Sequence, residues 1–163
     1  MMNNLKGLVL TVMLMSSSTF AQTVQLNQVY SLDSNAAHIL VDAAVAACQK
    51  IQHNIAVVVV DRGGNTLMAS RHENVGPHNL GAAEKKAYTA LSTKTATLLL
   101  SQNAHENSDA RNLTTLSNLL LLGGGIPVRN ASQVVGAIGV AGAGGAKNDH
   151  YCAEKAVKST FNP

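Results

Sequence analysis

The stretch Gly123-Gly-Gly-Ile-Pro-Val-Arg-Asn-Ala-Ser-Gln-Val-Val-Gly-Ala-Ile-Gly-Val-Ala-Gly142 constrains this chain more than any other. A glycine cluster enters a short strand over 126–128, Asn130–Ser132 makes a polar turn, and Val134–Val140 forms an apolar second strand. Glycine or alanine at 136, 137, 139 and 141 leaves part of this hairpin almost without side chains. Something must therefore approach the backbone closely, either a packed helix or a ligand.

The rest of the chain supplies what could pack there. Asp33 is a good N-cap for an amphipathic helix running to about Gln52, with Ala36, Ile39, Leu40, Ala43, Ala44, Ala47 and Ile51 at helical spacing. Ile55–Val60 is a continuous β-branched run, as a central buried strand requires, and Asp61-Arg-Gly-Gly-Asn65 turns it back into Thr66–Arg71. Helices are expected from Asn79 or Gly81 to about Ala90, from Thr93 to Asn103, and from Asn148 or Asp149 to about Thr160. Gln102–Asn112 reads as a polar, mobile stretch, and the leucine-rich run 113–122 as another strand. This order predicts an α+β fold: one domain with an antiparallel sheet flanked by helices.

Residues 1–21 stand apart. Lys6, the apolar-leaning run 7–15 and the small residues before Ala21 read as a secretory signal peptide, leaving residues 22–163 as the domain. The run is too short to span a bilayer, so no membrane span is expected after signal removal. Losing Lys6 lowers the formal net charge from +3 to +2. With no basic run and few aromatics, nucleic acid is not an expected partner. In the oxidising periplasm or outside the cell, Cys48 and Cys152 could form a disulfide or remain two buried thiols; the sequence leaves both open.

Familiar catalytic patterns are missing. Gly142-Ala-Gly-Gly-Ala-Lys147 lacks the Lys-Ser/Thr ending of a phosphate loop, and Ser132 has no nucleophile-elbow context. Among the six histidines, His38 sits beside Asp42 on a helix face, and His53, His105 and His150 read as surface residues. His78 differs, because it follows Gly76-Pro77 and opens a helix, where an imidazole can be aimed into a cleft at a metal or haem iron.

Several blocks in fixed order carry a resemblance: Val57-Val-Val-Val-Asp61-Arg-Gly-Gly-Asn65 with Ala69-Ser-Arg71, Gly76-Pro-His78 with Ala82-Ala-Glu-Lys-Lys86-Ala-Tyr-Thr-Ala90, Gly123-Gly-Gly-Ile-Pro-Val128, Val135–Gly142, and Asp149-His-Tyr-Cys-Ala153. Over residues 32–161 the chain resembles the GlcG/HbpS family of haem-binding and haem-degrading domains, which also forms the C-terminal domain of PduO-type proteins. The resemblance, closest to a secreted subgroup, implies a sheet of about five strands in profilin- or PAS-like layers, and a homo-oligomer. It implies extracytoplasmic binding of haem or a related tetrapyrrole, in haem and iron handling or redox sensing. The alternatives are an enzyme that degrades haem oxidatively with iron release or acts on a small organic acid, and an accessory protein to a membrane sensor. On this reading His78 is the iron ligand, Arg71 and Lys86 meet the porphyrin propionates, and Gly124 and Gly125 line the pocket. The chain departs from the subgroup at Gly139-Val-Ala-Gly-Ala-Gly-Gly145, which lacks a hydroxyl and a proline, and at His150, where an acid is common.

Overall fold

The computed structural model describes residues 24–161; the expected signal peptide lies outside them. Four antiparallel strands form one sheet in the order β2-β1-β4-β3, made of β1 (Ala56–Asp61), β2 (Thr66–Arg71), β3 (Gly125–Asn130) and β4 (Gln133–Ala141). The helices are α1 (Ser34–Gln49), α2 (His78–Thr93), α3 (Thr97–Glu106), α4 (Ser108–Asn112) and α5 (Ala146–Phe161), with a single 3-10 turn at Leu113–Thr115. The α+β single domain is as expected.

Strand alternation sorts the core into two layers. Val57 and Val59 of β1 and Ile138 and Val140 of β4 face α1 and α5, joining Leu40, Ala44, Ala153 and Ala156. Ala56, Val58 and Val60, with Ala137 and Ala141, face α2 and meet Ala83, Ala87 and Ala90. The sheet is thus covered on both sides, which is why β1 is β-branched throughout rather than alternating.

The α2 side answers the question the glycine stretch raised. A Cβ placed on Gly139 would lie 1.9 Å from the carbonyl oxygen of Ala83 and 2.6 Å from the amide nitrogen of Ala87. One on Gly125 would lie 2.2 Å from the carbonyl oxygen of Lys86. These glycines are bare because the backbone of α2 lies directly on them. The close neighbour is a helix.

Local signals explain the element ends. The Asp33 carboxylate accepts the Ala36 amide at 2.8 Å, capping α1 as expected. The Asp61 carboxylate accepts the amides of Gly63 (2.8 Å) and Asn65 (2.9 Å), which closes the β1–β2 turn. Lys94 ends α2 in a left-handed conformation at φ 55°, separating α2 from α3. Asn107 caps α4 by accepting from Asp109 and Ala110, so the polar stretch holds short helical structure.

Two expectations need correction. The run 113–122 is not a strand, and the sheet has four strands where about five were expected. Its backbone groups pair with buried threonine hydroxyls rather than with a strand. Thr89 Oγ1 accepts from the Leu120 amide at 2.8 Å, and Thr97 Oγ1 donates to the Leu122 carbonyl at 2.7 Å. The segment straps α2 to α3. Between the two readings left open for Cys48 and Cys152, the structure has the disulfide, with a Cα–Cα distance of 5.2 Å joining α1 to α5.

Candidate functional site

Because the sheet is antiparallel, one of its ends gathers the start of β1, the end of β2, the start of β3 and the end of β4. The N-termini of α2 and α5 lie beside it, since each follows its strand after a short loop. All the residues expected to form a site belong to this end.

His78 is the first residue of α2 and is exposed. Among the described residues neither ring nitrogen makes a hydrogen bond. The ring edge lies over Gly76, where an added Cβ would stand 3.0 Å from its Cε1 atom. Glycine at 76 therefore gives the imidazole room. Arg71, at the end of β2, curls its Nη1 group over the following loop and donates to the carbonyls of His72 (3.1 Å), Glu73 (3.3 Å) and Val75. Nε and Nη2 have no protein acceptor among the described residues, so one edge of the guanidinium remains for a ligand carboxylate.

A small cavity of about 170 Å³ beside Arg71 is lined by His53, Asn54, His72 and Ser70 among others. His72 Nδ1 accepts the Asn74 amide at 3.1 Å, and the His53 ring packs over Gly144 with its Cε1 3.0 Å from where a Cβ would be. His53, expected at the surface, is partly buried here. Its proximity to Arg71 arises because the segment before β1 meets the one after β2, which needs the strand register.

Lys86 is elsewhere. It is 1% exposed, the largest fully buried side chain, and its ammonium donates to Asp149 Oδ2 at 2.7 Å and to the Val140 carbonyl at 3.0 Å. The other Asp149 oxygen accepts the Ala143 amide at 2.8 Å. With its hydrogen bonds made inside the protein, Lys86 does not reach a surface propionate. It instead ties α2, α5 and the end of β4 together. Gly124 and Gly125 belong to the same assembly: a Cβ on Gly124 would lie 3.1 Å from Lys86 Nζ and 2.3 Å from the Val140 carbonyl oxygen. Their cradle is filled by the protein itself.

The remaining histidines divide by burial. His38, His105 and the acid Asp42 are exposed. His150, on the first turn of α5, is half-buried with a buried Nδ1 lacking any hydrogen-bond partner, and burial holds its pKa below the usual histidine value despite the opposing charge of Glu154.

The fit to haem can be judged from this donor set. No group of three or more His, Cys, Asp or Glu that could hold a metal exists among the described residues. A bare metal ion is thus poorly served. A haem iron would be held here by the His78 imidazole, and a propionate by the Arg71 guanidinium. The 170 Å³ cavity is smaller than the roughly 300 Å³ at which ligand pockets begin, so a porphyrin would lie on the surface of this end.

Known proteins agree with this architecture. A 15.0 kDa protein from the dhaT-dhaS intergenic region of Citrobacter freundii is 32% identical over 139 residues, covering 80% of this chain and 92% of the relative. A double mutant of Streptomyces reticuli HbpS superimposes with a TM-score of 0.77 at 33% identity, covering 88% of this chain and 97% of that one. A PduOC–haem complex superimposes with a TM-score of 0.70 at 27% identity, covering 80% and 95% respectively. The family model described as haem degrading protein HbpS-like matches residues 32–158. With most of the chain matched in sequence and its layers matched in space, the protein belongs to the HbpS-like family.

Proposed function

We propose that this protein binds haem or a related tetrapyrrole outside the cytoplasm, at the end of the sheet where α2 begins. The observation that carries the reading is His78: an exposed imidazole with neither nitrogen hydrogen-bonded among the described residues, in a chain similar to a PduOC–haem complex. Haem iron would supply the site's redox and ligand chemistry. The His78 imidazole would bind the iron, and the free edge of Arg71 would hold a propionate by a charge-assisted hydrogen bond. Gly76 keeps the imidazole unobstructed. A second copy of the chain would supply the wall that this end lacks, making the working form a homo-oligomer.

The compartment reading rests on the signal-like residues 1–21 and on the disulfide, which persists in oxidising surroundings. Among the described residues no helix is long and apolar enough to cross a membrane. A role in iron handling or redox sensing, or as an accessory to a membrane sensor, would follow from a haem held at the surface.

Hemin titration of wild type and His78→Ala tests the site. A Soret shift that saturates in wild type and weakens at least tenfold in His78→Ala is expected; equal affinity and an unchanged spectrum would remove His78. A second reading, oxidative haem breakdown, is favoured by the family's description as haem degrading. Peroxide treatment of the hemin complex separates the two: bleaching with iron release supports breakdown, and a stable Soret band supports binding alone.

A further inference from the structure

The opposite end of the sheet carries a cleft. Here the β1–β2 turn, the β3–β4 turn and the last turn of α2 surround a cleft of about 440 Å³, well within the range of small-molecule pockets. Tyr88 and Leu91 form its apolar wall, and Ser92, Ser132 and Gln133 its polar one.

The charged residues that line it are both cations. Arg62 and Lys94 line the cleft, and Arg129 stands at its edge, with Nη2 donating to the Lys94 carbonyl at 2.7 Å and Nη1 to the Ser132 carbonyl at 3.4 Å. Among the described residues none of these three cations forms a salt bridge. Two carboxylates stand near the cleft without lining it. Asp61 accepts from Asn65 and Gly63 within its own turn, and Glu84 accepts from Thr66 at 3.3 Å. Arg62 Nη1 reaches only Gln133 Oε1, at 3.5 Å, leaving most of its fork uncommitted.

The backbone is also held in less favourable conformations around the cleft. Lys94 has φ 55° and Ala131, beside Ser132, has φ 50°; these are two of the three non-glycine residues with positive φ among the described residues. Glycine is the usual choice at the left-handed end of a helix, so lysine there costs stability and places an ammonium at the cleft.

We propose that this cleft binds a small oxyanion of two or more negative charges, a carboxylate or phosphate compound whose carbon part rests on Tyr88 and Leu91. Arg62 and Lys94 would grip the charged groups, with Ser92 and Ser132 available as hydroxyl donors. The site is separate from the proposed haem end, lying across the full length of the strands from His78.

The test is isothermal titration of the full mature chain with inorganic phosphate and, separately, succinate, using wild type, Lys94→Gly, Arg62→Gln and His78→Ala. Saturable binding of at least one probe below about 10 mM is expected. It should weaken at least tenfold in Lys94→Gly and in Arg62→Gln and stay unchanged in His78→Ala. Preference for one probe identifies the oxyanion as phosphate or carboxylate. Lys94→Gly also relieves the positive φ, so its melting temperature should hold or rise while binding falls, which separates lost charge from lost fold. Absence of saturation with both probes, or wild-type affinity in both cation variants, would overturn the site. So would equal weakening in His78→Ala, since binding would then lie at the other end.

Discussion

The Lys86–Asp149 pair should dominate the local stability of the glycine-rich end. Both side chains are almost fully removed from water, at 1% and 6% exposure, and only 2.7 Å separates the charged atoms. Replacing Lys86 by methionine preserves the length of the side chain but leaves the Asp149 carboxylate buried beside a single backbone amide donor, Ala143. The Val140 carbonyl loses its lysine partner as well. Breaking one side of such a pair costs about 3–5 kcal/mol, a large part of the 5–15 kcal/mol that holds a domain together. For a chain of this size that corresponds to a fall of roughly 10–15 °C in melting temperature.

Urea unfolding with the disulfide intact measures the loss. The double variant Lys86→Met/Asp149→Asn removes the stranded charge while keeping an acceptor for Ala143, so it should be more stable than Lys86→Met alone. A cost under about 1 kcal/mol for Lys86→Met would refute the reasoning, as would a double variant that is merely additive.

Three further outcomes follow from the same structure. Gly139→Ala drives a methyl into the α2 backbone and should cost about 1–3 kcal/mol or more in chemical denaturation, whereas Gly145→Ala, with open space around it, tests only its φ of 144°. Reducing Cys48–Cys152 opens a loop of 104 residues and should destabilise the protein by about 4–5 kcal/mol, while thiol titration of the unfolded, unreduced chain should find no reactive thiol among the described residues. His150 is held neutral by burial, so its folded pKa lies below the unfolded value near 6.5. Its contribution is complete above that value and is lost as pH falls towards the folded pKa. His150→Gln should therefore flatten the stability–pH curve on the acid side of neutrality; an unchanged slope would count against it.

The parts of the fold legible in sequence are those with a local cause. The Asp33 cap, the β-branched run of β1, and the Asp61–Asn65 turn each fix their own geometry, and strand alternation then assigns both faces. The glycine stretch was readable as a demand for close approach, but bareness is the same whether a helix or a ligand fills it. The leucine-rich run 113–122 has the apolar content of a strand, whereas its backbone partners are Thr89 and Thr97, distant in sequence.

Lys86 had a usable signal. It falls on the helical stripe of Ala83, Ala87 and Ala90 that faces the sheet, a position where an unpaired cation would be untenable. Asp149, on the first turn of α5, is its partner, but nothing local in the sequence joins positions 63 residues apart. His78 and Arg71 were legible as a loop–helix histidine and a strand-end cation. The inner cavity with His53 was not, because it depends on the pairing register of β1 with β2.

The proposal that His78 binds a tetrapyrrole iron is most directly tested by electron paramagnetic resonance of the ferric hemin complex with protein carrying 15N-labelled histidine. The account predicts a nitrogen hyperfine coupling that changes with the isotope in wild type and disappears in His78→Ala. Retention of that coupling in His78→Ala, or a ferric signal with no histidine nitrogen in wild type, would contradict it.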